Sequence, residues 1–147
     1  MKQIDPLVVT IPGGRKVDVA VRDHLIHTDQ PVDNWGMDTG PTPYELFLAS
    51  IGACAGIFVQ GFCAARSLPT DEIRIVETPR YDVQGVLREV SLEVMLPADF
   101  PERYRNAVVK AIDGCSVKKA IAAQPAISVS IATPPLQDRL GAVTLNG

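Results

Sequence analysis

From Pro43 to Arg66 the chain carries a segment that is apolar on nearly every face of a helix. Pro43 suits the first helical position, Thr42 is a capping residue before it, and Ser67-Leu68-Pro69 ends the run. A helix apolar on most sides needs cover from more than one direction. One sheet cannot supply that cover. A second copy of the chain can, so the segment predicts an intertwined homodimer, which a sedimentation mass of one compact chain would refute. The longest apolar run, Ile51 to Ala65, is interrupted by Gly52, Gln60 and Gly61. It is shorter than a membrane span and reads as a buried core helix, with no membrane partner expected.

Around this helix the patterns alternate. Leu7 to Ile11 is β-rich, Pro12-Gly13-Gly14 is a turn, and Lys16 to Val21 alternates polar and apolar, which predicts a hairpin. Asp23 marks a second tight turn before Leu25 to Thr28. The stretch Asp29 to Thr42, rich in Pro, Gly, Asp and Asn, reads as a loop. Its Trp35 either packs locally or walls a pocket. Ile73 to Val83 and Arg88 to Leu96 predict a second hairpin turning at Gln84-Gly85, with Ser91 and Glu93 on its wet face and Leu92 and Val94 on its packed face. Pro101 to Ile112 predicts a helix with Tyr104, Val108, Ala111 and Ile112 on one stripe, broken by Asp113-Gly114. Cys115 to Ala123 predicts a short helix, and Ala126 to Ala132 a last strand. The sum is an α+β domain.

At 147 residues the chain suits one domain, residues 1–147, with a core that needs no staples. The formal charge is −3 and no basic tract occurs, so nucleic acid is not an expected partner. Met1 to Pro6 lacks the apolar core of a signal peptide, so the expected location is cytoplasmic. Three cysteines are an odd count for a secreted disulfide framework. In a reducing compartment a cysteine pair points to catalysis or metal binding.

Helix geometry separates the thiols. Nine residues at about 100° each place Cys54 and Cys63 roughly 180° apart, so they cannot bridge within one helix. Cys63 reads as a small core hydrophobe. Cys115 lies at a helix start, where the dipole lowers a thiol pKa. Cys54 in mid-helix has no such help and needs a nearby cation to act as a thiolate, such as an arginine held by a carboxylate. The alternative is that Cys54 is a packed core thiol. His24 and His27 fall on opposite faces of one strand, and with three scattered cysteines they match no standard zinc spacing. They read as surface residues.

Gly40-Pro41-x-Pro43-x-Glu45-Leu46, followed by Ala49-Ser50-Ile51-Gly52-Ala53-Cys54, resembles the signature of the OsmC/Ohr family. So does the preceding His24…Asp29-x-Pro31 segment. Cys115-Ser116-Val117, with the helix and strand after it, resembles the family's second cysteine motif. The likeness runs from about residue 16 to residue 132. It implies an OsmC-like fold, with antiparallel sheets around a long central helix buried deep in the partner of a homodimer. It implies thiol-dependent reduction of organic hydroperoxides. Cys54 would attack the peroxide and become a sulfenic acid, Cys115 would close a disulfide, and a cellular dithiol would reset the pair. No metal or organic cofactor is implied.

The chain departs from the best-studied branch, which has an acidic residue directly after the motif proline, paired with a catalytic arginine. Here Tyr44 stands in that place and Glu45 one step on, about 100° round the helix. The matching arginine is Arg22 or Arg15, with Arg22 favoured. Pro-Tyr-Glu-Leu and Cys-Ser-Val resemble the less characterised branch. The site set is therefore Cys54, Cys115, Glu45 and Arg22.

Two functions follow. The first is a peroxidase for organic hydroperoxides in oxidative stress defence, with Cys54 among Phe47, Leu48, Ile51 and Phe58 favouring an apolar peroxide. The second is a non-enzymatic or redox-sensing module that binds an apolar ligand in the same cleft. One equivalent of hydroperoxide separates them: loss of two hydrogens with a Cys54–Cys115 crosslink supports the enzyme, and unchanged mass supports the binder.

Overall fold

A computed structural model describes residues 6–131. They fall into two compact units, one made of the chain up to Pro43 and from Ala126 onward, the other of Tyr44 to Pro125.

The first unit holds a three-stranded antiparallel sheet in the order β1 (Val8–Gly13), β2 (Lys16–Val21), β3 (His24–Thr28). The β1–β2 turn uses Gly13 and Gly14 at φ +127° and +61°, conformations that a side chain would disfavour. Arg22 opens the β2–β3 turn at φ +53°. His24 and His27 are exposed, and His27 Nδ1 lies 2.9 Å from Asp18 Oδ1. The loop after β3 is organised by one buried carboxylate. Asp29 accepts hydrogen bonds from the amides of Gln30 (2.8 Å), Met37 (3.2 Å) and Thr39 (3.1 Å) and from the Thr39 hydroxyl (2.8 Å). Trp35 is exposed, and the Arg15 guanidinium sits 5.2 Å from its ring centroid, so the local reading of Trp35 fits.

The second unit opens with α1 (Pro43–Ala64). Ser67, at φ +53°, closes the helix: the Leu68 amide donates to the Cys63 carbonyl and the Ser67 amide to the Ala64 carbonyl. Together these form a Schellman stop built on serine rather than glycine. Next come β4 (Arg74–Tyr81) and β5 (Leu87–Met95), an antiparallel pair running from Arg74↔Met95 to Tyr81↔Leu87. Asp82 holds the connecting turn through the amides of Gln84 and Val86, each at 2.9 Å. Then follow α2 (Glu102–Ala111), a 3-10 turn (Ile112–Gly114) and α3 (Ser116–Ala123). Ala55, Val59 and Cys63 of α1 join Phe100, Val108 and Ile112 in the core, with Ile75, Leu92 and Val94 of the hairpin packed against it.

One expectation is corrected. Ala126 to Ala132 was expected to form a strand, but residues 126–131 carry no regular structure and Ile131 is 100% exposed. Ala132 lies outside the described residues. Alternating apolar residues make a strand only where a paired edge accepts them, and among the described residues none does. The sequence expects α1 to be covered on several sides, with a second copy of the chain supplying part of the cover. Within the chain only Ile51, Ala55, Val59 and Cys63 are buried, one stripe at a spacing of four, while Tyr44, Phe47 and Ile57 are open. The helix also exceeds the 51–65 run. At 22 residues it is long and apolar enough to cross a membrane by length and composition alone, yet its buried stripe is part of the core of its unit.

Candidate active site

Cys54 projects from the middle of α1 and is partly exposed, whereas Cys115 and Cys63 are buried. Cys63 belongs to the core stripe, and burial pushes its thiol pKa up, with Arg66 opposing. It is suited to packing and not to attack.

The 3-10 turn delivers the second thiol. Gly114 passes so close to Phe58, one turn beyond Cys54 on α1, that a β-carbon there would lie 2.4 Å from the ring. This approach sets Cys115 as the N-cap of α3, where its Sγ accepts the Lys118 amide at 3.4 Å. The next residue, Ser116, places its Oγ 3.9 Å from Cys54 Sγ. Burial pushes the Cys54 thiol up. Hydrogen bonds from the Cys115 thiol, the Val117 amide, and the Ser116 hydroxyl and amide outweigh it and hold the thiol below its ordinary pKa.

The fold therefore brings Cys54 and Cys115 together, although they are remote in sequence. It also corrects one expectation: Cys54 does have help from a helix start, because the first amides of α3 face it. Spacing put Ser116 and Val117 in a first helical turn but could not show which sulfur they would meet.

Glu45 stands in the first turn of α1. Nine residues of helix, about 13.5 Å of rise, separate it from Cys54, so the structure does not bring the two together within one chain. Tyr44 packs against Phe47 (5.9 Å between centroids) and Tyr81 (6.5 Å). Its hydrogen bond to Tyr81 pushes the Tyr81 phenol above its ordinary pKa. Arg22, exposed at its turn, belongs to the other unit.

An open cavity of about 560 Å³ lies in the same unit, lined by sequence neighbours of both thiols but by neither thiol itself. Phe47 and Ile51 of α1, Leu87 and Leu92 of β5, and Ile121 of α3 give it apolar walls, with Arg88, Glu89, Asp113 and Lys118 also lining it. Ile51 is one helical turn from Cys54, and Phe47 lies two turns back on nearly the same face. The arrangement offers an ionisable, accessible sulfur, a second sulfur in contact with it, and an apolar space in the same unit.

The profile of the OsmC-like protein family matches residues 36–130. Among solved structures, an OsmC-like protein from Mycoplasma pneumoniae aligns with a TM-score of 0.67 at 13% identity, covering 84% of this chain and 91% of that one. An OsmC-like protein of unknown function from Vibrio cholerae O1 aligns with a TM-score of 0.59 at 10% identity, over 82% and 94% of the two chains. An organic hydroperoxide resistance protein from Elizabethkingia anophelis aligns with a TM-score of 0.56 at 22% identity, over 84% and 93%. No curated protein matches the sequence. The α+β fold expected from the motifs, antiparallel sheets with a long helix, is the fold observed within one chain. The profile match spans both cysteine motifs, and on that ground the chain belongs to the OsmC-like protein family.

Proposed function

We propose that the protein is a cytoplasmic, thiol-dependent peroxidase for organic hydroperoxides. The observation that carries this reading is the meeting of a partly exposed Cys54, its pKa held down, with the buried Cys115. The Elizabethkingia neighbour, an organic hydroperoxide resistance protein, points the same way.

The Cys54 thiolate attacks the terminal oxygen of the hydroperoxide. The O–O bond breaks, sulfur gains the OH as a sulfenic acid, and the alkoxide takes a proton and leaves as the alcohol. The Cys115 sulfur, as thiolate, attacks the sulfenic sulfur and expels hydroxide, which a proton converts to water. A dithiol reductant then returns both cysteines to thiols and is itself oxidised to a disulfide. The apolar walls of the cavity favour a hydrocarbon-bearing peroxide over hydrogen peroxide, which leaves its hydration only at a cost.

The active assembly in this reading is an intertwined homodimer, with the unburied faces of α1 as its contact. Arg22 and Glu45 are proposed as the arginine and carboxylate of the site. Because Glu45 is about 13.5 Å along its own helix from Cys54, it serves the thiol of a second copy. The test is hydroperoxide consumption with a dithiol in wild type, Cys54→Ser and Cys115→Ser. Cys54→Ser should abolish turnover. Cys115→Ser should stop at a sulfenic acid, seen as a gain of one oxygen in mass. Equal turnover by wild type and Cys54→Ser would sink the proposal.

A further inference from the structure

We propose that Ser116 is a working residue of the thiol site: its hydroxyl and backbone amide, with the amide of Val117, hold the Cys54 sulfur as an anion, so the start of α3 is the seat of the thiolate in this chain. This rests on Cys54 being the attacking thiol.

The geometry divides the first turn of α3 between two sulfurs. The opening amides of a helix have no intrahelical acceptor and carry its positive end. The Lys118 amide goes to Cys115 Sγ at 3.4 Å. The Ser116 hydroxyl lies 3.9 Å from Cys54 Sγ, across from that bond, and the amides of Ser116 and Val117 act with it to lower the Cys54 pKa. Cys115 is buried in its capping role, while Cys54 stays partly open to a substrate. Donors fixed in a backbone need no reorganisation when charge forms on the sulfur.

Arg22 and Glu45, proposed above as the charged pair of the site, would add to these donors, and the described charges nearest the thiols within one chain are already engaged. Cys115 is the titratable group in contact with Cys54. Arg88 and Glu89 of β5, Asp113 of the 3-10 turn and Lys118 of α3 line the cavity of the same unit. Of the two cations, Arg88 is held by Asp82 at 2.7 Å and Lys118 by Asp113 at 3.1 Å.

The experiment is the pH dependence of Cys54 alkylation by iodoacetamide, read by peptide mass so that each cysteine is scored separately. Ser116→Ala removes the hydroxyl alone. Ser116→Pro removes hydroxyl and amide together, and it suits the site: proline is favoured at a first helical position. Cys115 already has the extended ψ of 118° that a following proline requires. The midpoint should rise by about half a pH unit in Ser116→Ala and about one unit or more in Ser116→Pro, a tenfold loss of thiolate at fixed pH below the midpoint. Midpoints equal to wild type in both variants, or a rise confined to Lys118→Gln, would overturn the proposal. If the proline variant does not fold by circular dichroism, Ser116→Ala decides through its own shift. Alkylation needs no turnover. A wild type that consumes no hydroperoxide yet shows these shifts defeats the peroxidase reading and leaves the role of Ser116 standing.

Discussion

Gly114→Ala is the sharpest perturbation of how the two thiols meet. The new methyl would lie 2.4 Å from Phe58 Cε1, 2.9 Å from Cδ1 and 3.1 Å from Cζ. Ordinary carbon contacts begin at about 3.5 Å, so ring or turn must retreat by about 1 Å. The ring is braced on α1, and the turn carries Cys115 and the start of α3. A shift of that size moves Ser116 Oγ, already 3.9 Å from Cys54 Sγ, out of hydrogen-bonding range. Overpacking of this kind costs about 1–3 kcal/mol, a drop of roughly 3–10 °C in Tm. Misplacing a reacting pair by about 1 Å costs up to about a hundredfold in rate. The assay is Cys54–Cys115 disulfide formation after one equivalent of organic hydroperoxide, followed by intact mass in quenched samples beside a thermal melt. Phe58→Leu removes the opposing ring, so the double variant should recover much of both losses. An unchanged disulfide rate and Tm in Gly114→Ala would refute the reasoning, as would a penalty of the same size in the Phe58→Leu background.

Two further outcomes follow from packing and charge. Gly52→Ala would place a methyl 2.6 Å from Glu77 Oε2, whose partner oxygen is buried without a hydrogen bond. Because Oε2 is the far end of a flexible side chain, the carboxylate can swing aside, and Gly52→Ala should be neutral or stabilising by up to about 1 kcal/mol through helix propensity; a loss above about 1 kcal/mol by urea denaturation would refute this. The hydrogen bonds that Asp29 accepts, that from the Thr39 hydroxyl foremost, lower its pKa from 3.8 to about 2. A depressed carboxylate pKa contributes stability that is fully present above 3.8 and is lost as pH falls through about 2. The loop should open across that window, with the single tryptophan, Trp35, as fluorescent reporter. Asp29→Asn should abolish the acid transition while loosening the loop at neutral pH, and an unaltered transition would assign it to other groups.

Much of the architecture was legible because it is local. The Gly13-Gly14 and Gln84-Gly85 turns, the alternation through Ser91 to Val94, and the proline start of α1 each act within a few residues. The helix 102–111 and the start of a helix at Cys115 followed from the same short-range rules, with Cys115 itself the cap and not a member of the first turn. The run 126–131 failed because a strand is a partnership, and periodicity in one segment does not provide the other. The single buried stripe of α1 agrees with the expectation that one chain alone does not cover this helix. Composition states what a helix would hide, and only the surroundings state what it does hide.

For the site, the motif resemblance singled out Cys54 and Cys115, and helical rotation alone set Cys63 apart from Cys54, on the opposite side of the helix. Which thiol receives the start of α3 was decided in three dimensions. The close pass of Gly114 over Phe58 carries the start of α3 to Cys54, with Ser116 Oγ 3.9 Å from its sulfur, while the Lys118 amide goes to Cys115. An N-terminal amide acts on the nearest anion in space, and nearness in space between residues this far apart along the chain is a property of packing.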